Sequence, residues 1–327
     1  MKMIVKKLKG IIAAVVIPVA GLALAGPAVA AETFPSGPLD LTVPWTAGSA
    51  PDAVSRALAE GMSKHLGQQV IVVNRPGAGG AIGYKYVQSR KADGYTLVLS
   101  SNSISTAYYA GMMPFTYEAF QHVGRLSIEL PVFGVQSSSP LNNLKDLIAF
   151  VKQNPGKMRV GHSGIGSHMH LTLAAFCKGQ GIEVTQVPFP TSNPVTSLLG
   201  GHIDGQVTLP GSLTQHVKAG TVKVLGVLGS MREPAFPSVP TATEQGYKFE
   251  SDLWRGIAVR KGTPPEVVAR LEEALRKTVT SPEFKQYGER IGFLPAFQPG
   301  EPLLKMIVAE DVEIAKMMPK PAAPQTK

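Results

Sequence analysis

The chain has 327 residues, 32 of them Lys or Arg, 23 Asp or Glu and one Cys, a length that exceeds a single ordinary core and predicts two lobes. With 44% hydrophobic and 17% charged residues it is not a disordered chain, and one Cys excludes an internal disulfide framework and a cysteine-based zinc cluster. The formal charge of +9 includes four lysines in the first ten residues; the rest has a mild basic surplus and no basic run that would track a phosphate backbone, so nucleic acid is not an expected partner.

Lys2, Lys6, Lys7 and Lys9 are followed by a nearly unbroken apolar stretch, Ile11 to Leu24, and then by Ala28-Val29-Ala30. A basic start, a short apolar run and small residues at a cleavage site make residues 1–30 a secretory signal peptide, cleaved near Ala30. Pro18 and Pro27 interrupt the stretch, which is shorter than the ~20 residues of a comfortable membrane span. The mature chain is therefore expected to be soluble and periplasmic.

Leu41–Pro44 reads as a strand, and Asp52–Leu66 as a helix with Asp52 as N-cap and Val54, Leu58, Met62 and Leu66 at helical spacing. Gln69–Val73 is a second strand, a glycine-rich turn and helix follow to about Arg90, and Thr96–Leu99 is a third strand. Alternation of strands and helices predicts βαβ units and largely parallel sheets. Leu130–Val135 reads as one strand ending this block. A second block holds helices at Leu144–Gln153, Met169–Gln180 and Asn193–Leu199, with strands at Met158–Gly161, Val184–Pro188, Gly205–Leu209 and Val222–Leu228. Gly256–Arg260 returns the chain to the first block. Helix Pro264–Val279 follows, capped by Thr263 with prolines in its first turn. Residues 31–131 with 253–318 form one expected lobe, 132–252 the other, and 319–327 a disordered tail. Two crossings make a hinge, and the cleft between lobes is the expected ligand site.

Three motifs invite chemistry. Gly77-Ala78-Gly79-Gly80-Ala81-Ile82-Gly83 sits between strand and helix, but a dinucleotide fingerprint starting at Gly77 requires Gly where Ile82 stands. Gly161-His162-Ser163-Gly164-Ile165 misses the nucleophile elbow at its fifth residue, leaving a secreted hydrolase using Ser163 as the rival reading. His162, His168 and His170 lack the i,i+4 spacing of a helical zinc pair and have no acid nearby. No cofactor and no metal are expected. The loops Thr46–Asp52, Ser163–His168 and Thr191–Asn193 each precede a helix, where unpaired backbone N–H groups and the helix dipole seat anions. The same loops would also serve as plain α/β connections.

Several motifs in fixed order resemble one family, the solute receptors of tripartite tricarboxylate transporters, or Bug/TctC proteins. They are Val43-Pro44-Trp45-Thr46-Ala47-Gly48 leading to Asp52, Asn74-Arg75-Pro76-Gly77-Ala78-Gly79-Gly80, and Asp93-Gly94-Tyr95-Thr96-Leu97. Gly164-Ile165-Gly166-Ser167 with His170-Leu171, Leu198-Leu199-Gly200-Gly201-His202-Ile203-Asp204 and Trp254-Arg255-Gly256 continue the series. The resemblance implies an α/β, two-lobed periplasmic-binding-protein-like (type II-like) flytrap, each lobe a mixed sheet flanked by helices, with a two-crossing hinge. It implies no catalysis, a small organic acid (dicarboxylate or aromatic carboxylate) as ligand, and membrane transporter subunits as partners of a monomeric receptor. A carboxylate sensor docking on a periplasmic sensor domain is a second alternative. Carried over, the ligand-binding positions are Trp45, Thr46, Ala47, Gly48, Ser49 and Ala50 in one lobe. In the other they are Ser163, Gly164, Gly166, Ser167 and His168, joined by Thr191 and Thr208. The chain departs from the family at Ser49, at Trp45 with its larger face, at Phe189-Pro190-Thr191, which lacks a common Lys, and at Val207-Thr208-Leu209, which lacks a common acid. Those losses point to a less polar acid. Asp52 and Asp204 are assigned to structure, and Cys177 to packing.

Overall fold

The computed structural model describes residues 34–189 and 194–318. The expected signal peptide, the expected tail and Thr191 lie outside the described residues. From the start, the elements are β1 (Leu39–Val43), α1 (Ala50–Leu66), β2 (Val70–Asn74), α2 (Ala81–Gln88), β3 (Thr96–Ser100), α3 (Ser103–Tyr109), β4 (Phe120–Glu129) and β5 (Val132–Gln136). Next come α4 (Leu144–Gln153), β6 (Arg159–His162), α5 (His168–Gln180), β7 (Thr185–Pro188), α6 (Val195–Leu199), β8 (Gly205–Thr208), α7 (Thr214–Lys218) and β9 (Val222–Val227). The chain closes with β10 (Leu253–Arg260), α8 (Pro265–Thr280), α9 (Pro282–Ile291), β11 (Leu294–Pro299) and α10 (Gly300–Met317).

Two mixed sheets result, giving the two-lobed α/β fold. One has the order β11-β4-β10-β3-β1-β2, the other β7-β6-β8-β5-β9. In the first, β1 is parallel to β2 and β3, and β10 is antiparallel to β3 and β4. In the second, β6 is parallel to β7 and β8, whereas β5 is antiparallel to β8 and β9. The chain passes between sheets at Leu130–Pro131. What reads as one strand over Leu130–Val135 is broken there, because Pro has no N–H to continue a ladder.

Local chemistry explains the elements around the cleft. In α1 the predicted stripe Val54, Leu58, Met62 and Leu66 is buried, and Gly67 ends the helix in the left-handed conformation, φ 72°, its N–H donating to Ser63 O. Truncating such a fully buried Leu to Ala costs about 2–5 kcal/mol. The N-cap position belongs to Ser49; Asp52 stands inside the first turn instead. Thr263 does not cap α8: Pro264 occupies that position, and Thr263 Oγ1 donates back to Arg260 O.

β4 escapes a sequence reading because it buries His122, Ser127 and Glu129 among its apolar residues, which erases the alternation. Helices α3, α7, α9 and α10 and strand β11 are also absent from that reading. Of these α10 matters most. It packs Leu303 and Ile307 beside Trp254 of β10, while Ile314 and Met318 meet Leu171 of α5. The C-terminal helix thus touches elements attached to both sheets.

Candidate functional site

A cavity of about 570 Å3 opens between loops of the two sheets. From the first sheet it is lined by the turn after β1, the glycine-rich turn after β2 and the start of α3. From the second come the loop after β6 and Leu209; Leu253 and Arg255 enter from β10.

The turn after β1 is built around Asp52. Gly48, φ 79°, donates its N–H to Asp52 Oδ2 at 2.8 Å, Asn74 Nδ2 donates to Asp52 Oδ1 at 2.9 Å, and Arg56 Nε donates to Oδ2 at 3.0 Å. Burial alone would raise this carboxyl, but the bonds from Arg56, Gly48 and Asn74 bring it below its ordinary range. Asn74 also holds the Trp45 carbonyl at 3.1 Å, so the backbone at Trp45 is set by the same network. The glycine-rich turn is a packing device. A Cβ on Gly83 would come within 3.1 Å of Pro44 Cα, so only Gly lets α2 approach the turn after β1 this closely.

The loop after β6 is a compact hairpin of hydrogen bonds. Gly164 and Gly166 take φ 105° and 78°, Ser167 N donates to Gly164 O at 3.1 Å, and Ser167 Oγ caps α5 by accepting from His170 N at 3.2 Å. Gly166 N donates to His170 Nδ1 at 3.1 Å, and His162 Nδ1 donates to Gly164 O at 3.2 Å, with the two rings 4.9 Å apart. Burial pushes His162 down to about 4, helped by the neighbouring His170. His170 is lowered by burial too, which keeps Nδ1 able to accept. At the loop tip Ile165 is 80% exposed and lines the cavity.

His168, the first residue of α5, joins the two sides. Its Nδ1 accepts from Asn102 Nδ2 at 2.6 Å and its Nε2 donates to Ser251 O at 3.3 Å. Burial pushes this imidazole down to about 4, so it is neutral at ordinary pH.

Of the positions expected from sequence, Trp45, Thr46, Ser163, Gly164, Gly166, Ser167 and His168 line the cavity. Ala47, Gly48, Ser49, Ala50 and Thr208 do not; Gly48 serves Asp52, and Thr208 is buried at the end of β8. Ser101, Asn102, Ser103, Met112 and Arg255 were not expected and do line it. Arg255 is legible in retrospect. Side chains alternate along a strand, and with Trp254 turned into α10, Leu253 and Arg255 must face the other way. After Arg255 the register shifts because β4 bulges at Leu126 against β10, and a Cβ on Gly256 would meet Gly124 O at 2.6 Å.

Arg255 and Glu129 are each only 4% exposed and form an ion pair, Nη2 to Oε2 2.6 Å. The guanidinium carbon lies 5.8 Å from the centre of the Trp45 ring. No protein acceptor reaches Arg255 Nε. Among the described residues that line the cavity, Arg255 is the one with a full charge. No histidine is hydrogen-bonded to Ser163, and no three His, Cys, Asp or Glu side chains converge as a metal site, among the described residues. No helix among them is long and apolar enough to cross a membrane.

The model of the tripartite tricarboxylate transporter family receptor matches residues 54–318. Protein BugT of Bordetella pertussis is 34% identical over 77% of this chain and 79% of its own. A TctC solute-binding protein from Polaromonas superposes with a TM-score of 0.77 at 35% identity, covering 86% of this chain and 98% of that one. A protein of R. palustris solved with adipate superposes with a TM-score of 0.76 at 27% identity, covering 86% and 97%.

Proposed function

This chain belongs to the tripartite tricarboxylate transporter receptor family, a family of periplasmic solute-binding proteins, and from that premise we propose that it captures a small organic carboxylate in the cavity between its sheets. Residues 34–131 and 253–318 act as one lobe and 132–252 as the other, hinged at Leu130–Pro131 and ahead of β10. Ligand touching both sides favours closure to the extent that it binds the closed state better than the open one. The closed receptor then delivers its ligand to a tripartite membrane transporter. The adipate held by the R. palustris relative supports a carboxylate as cargo.

The observation that carries this reading is the loop after β6. It ends at the N-terminus of α5, a 13-residue helix with no acid in its first turn, and it lines the cavity opposite Trp45 and Thr46. The first amides of α5 have no intrahelical acceptor, and the helix dipole favours an anion there. Thermal unfolding of the purified protein against a panel of carboxylates tests it. A ligand at a hundred times its Kd adds about 2.7 kcal/mol and raises the midpoint by a few degrees. No shift with any acid, and no acid released on denaturation, would overturn the proposal.

A further inference from the structure

We propose that Arg255 anchors the ligand's carboxylate and that this single guanidinium selects monocarboxylates with an apolar body over dicarboxylates. The inference rests on the receptor reading above and names the class of acid.

Arg255 lines the cavity and is buried, and Glu129 takes one side of its guanidinium, so the pair has no net charge to offer. The Arg255 Nε–H is buried and has no protein acceptor, so one directional donor of the guanidinium is left unmatched. Two longer helices begin near the cavity. The positive end of α1 is already met by the protein's own Asp52, whereas α5 has no acid in its first turn. Half a charge from one helix terminus and one unmatched guanidinium edge together suit one carboxylate.

A second carboxylate would meet no second cationic side chain, since Arg255 is the one with a full charge among the described residues that line the cavity. Ser101 and Ser103 share a hydrogen bond of 2.9 Å, Ser103 is also bonded to Tyr84 at 2.8 Å, and Asn102 is engaged by His168. The remaining wall includes Trp45, Met112, Ile165 and Leu253, which replace no hydration of a charged group. Trp45 lies 5.8 Å from the guanidinium carbon, so an acid held by Arg255 lays its body along the indole face.

Calorimetric titration of the purified protein with matched pairs of acids tests this: benzoate against terephthalate, and hexanoate against adipate. The monoacid is expected to bind at least tenfold tighter in one pair or both. The double variant Glu129→Gln/Arg255→Gln removes the charges together, so neither is left buried alone, and should lose at least tenfold for the monoacid while narrowing its advantage over the diacid. Arg255→Lys keeps a counter-charge for Glu129 but loses the Nε donor. It should weaken the monoacid severalfold with little change in unfolding midpoint, and it serves if the double variant does not fold. Tighter binding of the diacid in both pairs, or unchanged selectivity in a folded variant, would overturn the role of Arg255 and leave the receptor reading intact. Binding of no acid of either class would overturn both.

Discussion

Asn102 Nδ2 donates to His168 Nδ1 at 2.6 Å, although the two residues stand 66 positions apart in the chain. Asn102 follows β3 of one sheet, and His168 opens α5 beside the other. The bond therefore ties the two sides of the cavity at residues that line it. Removing the amide by Asn102→Ala is expected to cost about 1 kcal/mol, a drop of roughly 2 °C in a chain this size. Carboxylate affinity should fall as well, because the position of α5 loses a restraint. Thermal unfolding with and without a bound acid reads both effects.

Acid should destabilise the protein from an unusually high pH. Burial pushes His122, His162 and His168 from an ordinary 6.5 to about 4. Between those values the unfolded chain takes up protons that the native state refuses. The stability these groups contribute is complete above pH 6.5 and is lost as pH falls to about 4, about 3 kcal/mol for the fully buried His122 alone. Glu310, pushed up to about 7 by burial, opposes this: its contribution is complete below 4.5 and declines as pH rises to 7. Three histidines outweigh one carboxyl, so the midpoint should drop between pH 6.5 and 4.5. The variant His122→Met should flatten that slope, and an unchanged slope would contradict the account.

Gly166 holds φ 78° while its N–H serves His170. An added Cβ there costs about 1–2 kcal/mol in backbone strain. Gly166→Ala is expected to lower both the unfolding midpoint and the affinity for a carboxylate, since the loop that lines the cavity must shift. Equal affinity in the variant, by titration, would place ligand recognition elsewhere.

The buried pair of Arg255 and Glu129 predicts a large asymmetry. Glu129→Ala strands a guanidinium in the interior and should destabilise by about 3–5 kcal/mol. Denaturant unfolding of the single and double variants measures this, and the double variant is expected to be the more stable of the two.

Trp254 makes the opposite kind of prediction. It is 2% exposed, donates from Nε1 to Glu310 Oε2 at 2.7 Å, and does not line the cavity. Trp254→Phe should therefore reduce stability by about 1–3 kcal/mol and leave ligand affinity unchanged.

Much of this molecule is fixed by local sequence. The apolar spacing of Val54, Leu58, Met62 and Leu66 sets a helix, Pro131 breaks a strand, and the glycines at 164 and 166 shape a loop that only they tolerate. Those signals sit within a few residues of one another, where sterics and hydrogen bonding act directly. The motif series likewise places the chain in its family, because order along the chain survives without coordinates. The partners of Arg255 are different. Glu129 lies on a strand whose buried polar residues hide its pattern, and the bulge of β4 next to the partner of Arg255 exists only against β10. Charge compensation, the reach of Asn102 to His168 and the face taken by Trp254 depend on which strands become neighbours. That choice is made by packing across the whole chain, so only the tertiary structure decides where the charge in the cavity resides.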